Sequence, residues 1–406
     1  MTAAAVRPAR ALPALALVLF LGLAGFGVIL PVFPFWGREL GASPTEITLA
    51  MGAYSLGQFI GAPLWGKLSD RIGRRPALIG SMLGAGAAYW LMAGADSILW
   101  LGLTRMLAGV MAGNVAVAFA YAGDMTTPAE RPRVMGLLGA AFALGFILGP
   151  ALGGLVAGDA PDPATYARVG HWAAAVCGLA ALGVAAALPE SLTRERRAHA
   201  AARGPSPGAG AVLAAKPIVG WLTLLAFLAL SAAAMMESTF ALYADDVLGF
   251  SPRDVGLAFG LVGLISAIGQ AALAAPLARR LGAPRLAVLA LAIYAIGLAG
   301  MALASGAVQA LVTLALTALG VGLYNPAFQT MVADATDDAD RGLVNGLTQG
   351  GSSLGRIVGP VAGGPVYEGF GPSSPFAAGA LAMLVALALS AMLARPRRRP
   401  APGAAE

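Results

Sequence analysis

Apolar residues run in long blocks along this chain, and polar residues collect in the gaps between them. About 20 apolar residues in helical form cross the ~30 Å hydrocarbon core of a bilayer. The pattern therefore predicts twelve membrane helices, at 12–34 (α1), 46–66 (α2), 77–95 (α3), 98–122 (α4), 135–157 (α5), 170–188 (α6), 217–243 (α7), 253–275 (α8), 286–304 (α9), 306–330 (α10), 343–366 (α11) and 375–394 (α12). The first block follows Arg7 and Arg10 as a signal peptide does. Its apolar run is too long for an h-region and no small-residue cleavage site follows, so an uncleaved helix is expected.

Composition agrees. The chain is 58% hydrophobic and 11% charged, with mean hydropathy +0.77, against about 45–50% and about 25% for a soluble domain. This is the composition of an all-α integral membrane protein. The surplus of six positive charges is spread through the gaps, a pattern of membrane topology rather than of nucleic-acid binding. Cys177 is alone, and His171, at the edge of the α6 block, and His199 are read as lying in different loops, so neither a disulfide framework nor a metal site is expected, and no cofactor.

Basic residues set the orientation. Placing the N-terminus inside puts all 26 Lys and Arg in cytoplasmic segments except Arg38, Arg168 and Arg253 outside and Arg105 and Arg356 within helices. Both termini are expected in the cytoplasm and the chain in the inner membrane. The domains follow: an N-terminal six-helix bundle at 1–188, a cytoplasmic linker at 189–216 rich in Pro, Gly, Ser, Ala and charge, a C-terminal six-helix bundle at 217–394, and a tail at 395–406.

The two halves repeat each other. Shifted by 210 residues, "DMTTPAERPRVMGLLGAAFALGFILGPALGG" (124–154) overlies "DATDDADRGLVNGLTQGGSSLGRIVGPVAGG" (334–364), with 14 of 31 positions identical. Both copies hold LGxxxGPxxGG and run in the same direction, so the repeat is parallel. Parallel six-helix repeats are an arrangement of secondary transporters that rock two bundles about a midplane site.

Four motifs then carry a family resemblance. "GKLSDRIGRRP" (66–76) resembles the loop 2–3 signature of the major facilitator superfamily, "RMLAGVMAGN" with Arg105 its helix 4 motif, "GFILGPALGG" the helix 5 motif of its antiporters, and "GVILPVFP" the proline-bearing helix 1 motif of twelve-helix drug/proton antiporters. The resemblance implies two pseudo-symmetric bundles of the major facilitator fold, working as a monomer on a small-molecule substrate and protons. The first half looks most like bacterial tetracycline exporters. It departs from them where they carry aspartates, at Gly22 and Ala88. A membrane carboxylate costs about 2.5–3.5 kcal/mol to insert and is retained for function, so tetracycline-type coupling is expected to be absent.

A coupling carboxylate must load a proton on one side and release it on the other, which calls for burial. Glu237 is the acid deepest in any predicted helix, about 24 Å along α7. It is either the coupling or substrate group or an acid near the outer interface. Arg105 resembles the family's helix 4 arginine, linked to proton transfer; the bland alternative is a clamp on carbonyls. Arg356 stands where the first repeat has Phe146. It is either structural or a partner for an anionic group or for Glu237.

The resemblance implies a substrate cavity lined by α1, α4, α7 and α10 with access from α2 and α8. Candidates there are Gln58, Asn114, Met235, Met236, Phe240, Gln270, Tyr324, Asn325 and Gln329. Thioethers, aromatics and neutral amides suit apolar, drug-like ligands over sugars, though each residue taken singly also fits plain packing. Gly145, Gly149, Gly153 and Pro150, with Gly355, Gly359, Gly363 and Pro360, form close-packed, bendable stripes. They are expected to set α5 on α8 and α11 on α2.

Gly66 and Gly73 are expected to make tight turns in the loop. By the resemblance, Asp70 faces the N-terminus of α11, and Arg71, Arg74 or Arg75 reaches Asp124. This latch would join the halves only when the cavity opens outward. No GxxxxGK[ST] occurs, so ATP drive is unsupported, and without clusters of catalytic groups an enzyme is not expected. The expected activity is proton-coupled efflux of small organic compounds. The alternative is a sugar or metabolite carrier of the same superfamily.

Overall fold

The computed structural model describes residues 8–127, 129–192, 213–337 and 340–393; most of the linker and the tail, with His199, lie outside them. Described residues form helices and no strand. The twelve helices are α1 (Pro8–Ile29, resuming as Phe33–Glu39), α2 (Pro44–Ile72), α3 (Arg74–Ala93), α4 (Ile98–Met111 and Asn114–Met125), α5 (Arg131–Ala157), α6 (Pro163–Ala187), α7 (Pro217–Leu248), α8 (Pro252–Leu281, including a π turn), α9 (Ala283–Ala302), α10 (Ala307–Asp334), α11 (Arg341–Phe370) and α12 (Ser374–Leu393).

Ten of them are long and apolar enough to cross a membrane. The other two, α2 and α11, are as long but more polar, and they pack on each other: Gly52 meets Pro360, and Gly364 meets Thr45 and Thr48. A helix that faces protein and a polar cavity need not be apolar all round.

Several boundaries moved, each for a local reason. Pro31 cannot donate a backbone hydrogen bond, and α1 breaks there before resuming at Phe33. In α4 a turn at 112–113 frees the Val110 carbonyl, which accepts from the Trp65 indole N–H at 2.9 Å. Gly113 permits this turn because it lies against the Gly61–Ala62 backbone. A π turn, Gly269–Leu273, carries Gln270 in α8. His171 lies in α6 rather than in a loop.

The loop 2–3 motif is mostly helix. α2 runs on to Ile72, so Gly66 is helical and makes no turn. Only Gly73 turns, at φ 111°, and its repeat partner Gly282 does the same at φ 78° between α8 and α9. Counting apolar residues ended α2 early because its last turns are polar. Glu190 accepts from the Arg74 and Arg75 N–H groups at 2.9 and 3.2 Å, satisfying the open N-terminus of α3.

Packing follows the repeat. α1 packs on α5, α2 on α4 and α3 on α6; α7 packs on α11, α8 on α10 and α9 on α12. Across the halves α5 meets α8 and α11 meets α2. α2 and α8 even start alike, with capping boxes at Ser43-Pro-Thr-Glu46 and Ser251-Pro-Arg-Asp254.

The glycine stripes serve the first kind of contact. A Cβ at Gly145, Gly149 or Gly153 would strike α1 at Phe20, Ala24 and Val28, one at Gly355 or Gly359 would strike α7 at Phe227 and Ser231, and one at Gly363 would press on Thr239 and Met235 of α7. The stripe glycines thus hold their own half together, while the stripe prolines take part in the expected contacts, Pro150 at Gly256 of α8 and Pro360 at Gly52 of α2. The neighbouring glycines cross the interface: Gly154 sits against Pro252 and Gly256 of α8, and Gly364 against α2. One residue, or 100° of helix, separates the two roles.

Candidate functional site in the centre of the bundle

At mid-height, between the halves, lies a cavity of about 30 Å³, room for about two waters. Phe26 and Leu30 (α1), Met51, Tyr54 and Ser55 (α2), Arg105 (α4), Ala234, Glu237 and Ser238 (α7), and Arg356 and Pro360 (α11) line it. Arg105, Glu237 and Arg356 therefore share one space, although they come from helices far apart in the chain. Because α7 continues to Leu248, Glu237 stands about 16 Å from that end, in the middle of the helix rather than near an interface.

Arg105 is 1% exposed. The break in α1 and the close α2–α4 contact, in which Gly109 abuts Tyr54, set three rings around it. Its guanidinium carbon lies 5.2 Å from the Phe26 ring, 5.2 Å from Phe33 and 4.9 Å from Tyr54. Ring faces attract a cation but accept no strong hydrogen bond, and Arg105 Nε and Nη1 have no partner. Arg356 Nε is likewise buried and unpartnered. Neither arginine forms an ion pair with Glu237 in this state.

Gly22 and Ala88 explain the missing acids. A Cβ on Gly22 would press on Met82, and Ala88 is fully buried, so neither position faces the cavity wall just described.

None of the candidate substrate-cavity residues is among those lining this small cavity. Phe240 is fully buried against Phe259, Met235 packs at Gly363, and Met236 is in the core. Tyr324 stacks on Phe328 with its hydroxyl buried and unpartnered. Asn114 is buried at the α4 turn, Gln58 is half-buried, and Gln270, Asn325 and Gln329 are exposed. Composition had no way to tell these from Phe26, Tyr54 and Ser55, which do line the cavity. The "YS" pair at 54–55 in the polar helix α2 was the available signal.

The two ends of the bundle differ. We call proximal the face where α1 begins and distal the opposite one. On the distal face Arg38 binds Asp246 through both terminal nitrogens at 2.6 Å and Asp245 at 3.0 Å, and the Tyr367 hydroxyl donates to Asp246. The Thr45 N–H donates to Glu368 at 2.9 Å, and the Arg253 N–H to the Gly158 carbonyl at 3.3 Å. All of these bonds but that of Tyr367, which orients Asp246 within the C-terminal half, join the halves. The Arg38 group was missed by sequence reasoning, although Arg38 is a rare basic residue on an otherwise arginine-poor face and "ADD" (244–246) a rare acidic pair.

On the proximal face the charge pairs among the described residues lie within one half. Arg74 binds Asp70 at 2.7 Å and reaches Asp124 with Nε at 3.3 Å. Lys216 binds Asp337 at 2.6 Å and Asp340 at 2.9 Å, contacts that raise its pKa. Gly123, Gly136, Gly139, Gly342, Gly346 and Gly350 face open space there. Among the described residues, hydrogen bonds between the halves close the distal end, and none is found at the proximal end.

A family model described as Major Facilitator Superfamily matches residues 15–315 and 248–406. The chain belongs to the major facilitator superfamily. Among curated relatives this facilitator is 30% identical to the class C tetracycline resistance protein of Escherichia coli over 84% of this chain and 86% of that one. It is 27% identical to multidrug resistance protein 2 of Bacillus subtilis (strain 168) over 92% of each. Among solved structures the human organic anion transporter MFSD10 superposes with TM-score 0.69 at 24% identity, covering 95% of this chain and 99% of that one. The facilitator is thus a multi-pass membrane transporter for small molecules, built of two six-helix halves.

Proposed function

We propose that this facilitator exports drug-like or other small organic compounds by alternating access, driven by protons moving inward. The observation that carries the reading is Glu237, the carboxylate in the wall of the mid-height cavity, set among Arg105 and Arg356. A membrane carboxylate of this kind is retained for a task, and here it lies where the two halves meet. The resistance proteins to which the chain is similar support efflux. The positive-inside pattern makes the proximal face cytoplasmic, with both termini there and the chain in the inner membrane as a monomer. The state described is then inward-open.

In the outward-open state the latch would form at the proximal face. Asp70, now paired with Arg74, would turn to the N-terminus of α11, with the Arg74–Asp124 contact as its base. The domains would be the bundles 1–188 and 217–394, joined by the linker 189–216, with 395–406 as a cytoplasmic tail.

The test is transport in inverted vesicles, with a panel of hydrophobic cations, tetracyclines, organic anions, neutral amphenicols and sugars, with and without a proton gradient. Gradient-driven uptake of one class is expected, and Glu237→Gln should abolish the gradient dependence. Full coupling in that variant, or no gradient dependence for any compound, would sink the proposal.

A further inference from the structure

The charges around the central cavity do not balance. Arg105 and Arg356 contribute two guanidiniums and Glu237 a single carboxylate to its wall, so the site holds one positive charge in excess. The excess is not neutralised nearby: Arg105 Nε and Nη1 and Arg356 Nε are buried with no hydrogen-bond partner. Removing the partner of a buried charge leaves an uncompensated ion that is strongly destabilising. The rings of Phe26, Phe33 and Tyr54 offset part of this for Arg105, yet they leave its N–H groups unmet.

The asymmetry of the repeat places the extra cation. Where α5 has Phe146, the equivalent position of α11 has Arg356. The glycine lattice around both is shared, so packing does not require an arginine there. A guanidinium is a planar, permanently charged fork matched to carboxylate, sulfonate or phosphate oxygens. Tyr54, Ser55 and Ser238 add hydroxyls to the same wall; Arg105 already answers to the helix 4 motif, so Arg356 is the cation that a neutral or cationic substrate leaves without a role.

From this we infer that the transported compound is an organic anion, whose negative group enters the central cavity between Arg105 and Arg356 while its apolar body extends toward the open proximal face. The charged and hydroxyl groups gather around this one space, which assigns it the anionic head. The inference rests on the reading of this cavity as the substrate site, and it narrows the substrate class.

Matched probes test it. The purified full-length protein in lipid nanodiscs is titrated with 1-naphthoate, 1-naphthalenesulfonate, the neutral 1-naphthamide and tetraphenylphosphonium, read by thermal shift and by equilibrium binding. The two anions are expected to bind at least tenfold tighter than the amide. Arg356→Gln should erase that preference, and Arg356→Lys should restore part of it. Glu237→Gln should keep or strengthen anion binding, because it removes the competing negative charge, even as proton-driven transport is lost. Equal binding of naphthoate and naphthamide, or an anion preference unchanged in folded Arg356→Gln, overturns the inference. The two readings separate: anion binding without gradient dependence keeps the inference and defeats proton drive. Glu237-dependent export of tetraphenylphosphonium with no anion binding does the reverse.

Discussion

The distal face is stitched across the halves, whereas the charge pairs described at the proximal face stay within one half. Arg38 joins Asp245 and Asp246 from the other bundle, while Arg74 joins Asp70 and Asp124 from its own. The same chemistry, arginine on carboxylate, does two jobs according to which helices carry the partners. The Arg38 and Asp246 side chains are each about a third exposed, at 31% and 32%, and exposed ion pairs are worth only about 0–1 kcal/mol each. A gate that opens on every cycle needs bonds of that modest size. Closure therefore depends on several together, seated on glycine contacts that let the backbones approach.

The hardest way to break the distal closure is steric. Gly364→Leu would drive a side chain into Thr45 and Thr48 of α2, wedging the halves apart. Transport in vesicles should fall at least tenfold with normal membrane expression. Gly149→Leu, whose side chain would meet α1 within one half, should instead lower the yield of folded protein, since overpacking costs about 1–3 kcal/mol. Equal effects of the two on expression would erase the distinction between the stripes and their neighbours.

Asp246→Asn replaces the carboxylate that binds Arg38 across the halves by a neutral amide with a single acceptor oxygen. A loss of about 1–2 kcal/mol shifts the population of the distally closed state about 5- to 30-fold. Thiol labelling of a cysteine placed at Leu30, in a Cys177→Ala background, should rise from the distal side by that factor. Unchanged labelling would show that the glycine contacts hold the gate alone.

Asp70→Asn has the opposite sign and the smallest effect. In the state described it loses only a pairing with Arg74 in which Asp70 is 45% exposed. If the carboxylate later caps α11, worth about 0.3–1 kcal/mol, the same cysteine should be reached about two- to fivefold more from the proximal side. No change at all would refute the latch.

Much of the fold was legible in the chain. The predicted blocks mapped to twelve helices, ten of them apolar enough to cross a membrane because burial in lipid demands about 20 apolar residues, and the LGxxxGPxxGG repeat announced two equivalent halves. The ends were less legible wherever a helix stays polar: α2 was expected to stop at 66 and runs to Ile72, and α7 was expected to stop at 243 and runs to Leu248. Of the site, the three charged residues were visible because an ion inside an apolar block is anomalous in any sequence. Uncharged candidates were not, since a methionine or phenylalanine reads the same in a core as in a cavity wall. Phe240 went to the core and Phe26 to Arg105.

The sequence by itself determined the membrane class, the helix number, the repeat and the anomaly of Glu237, Arg105 and Arg356, because hydropathy and charge act locally along the chain. Only the tertiary structure decided that those three share one cavity, that Arg38 reaches across to Asp246, and that Gly153 and Gly154 serve different neighbours. Those facts depend on how helices distant in sequence are rotated and stacked. A rotation of 100° between adjacent residues is enough to move a side chain from one partner helix to another.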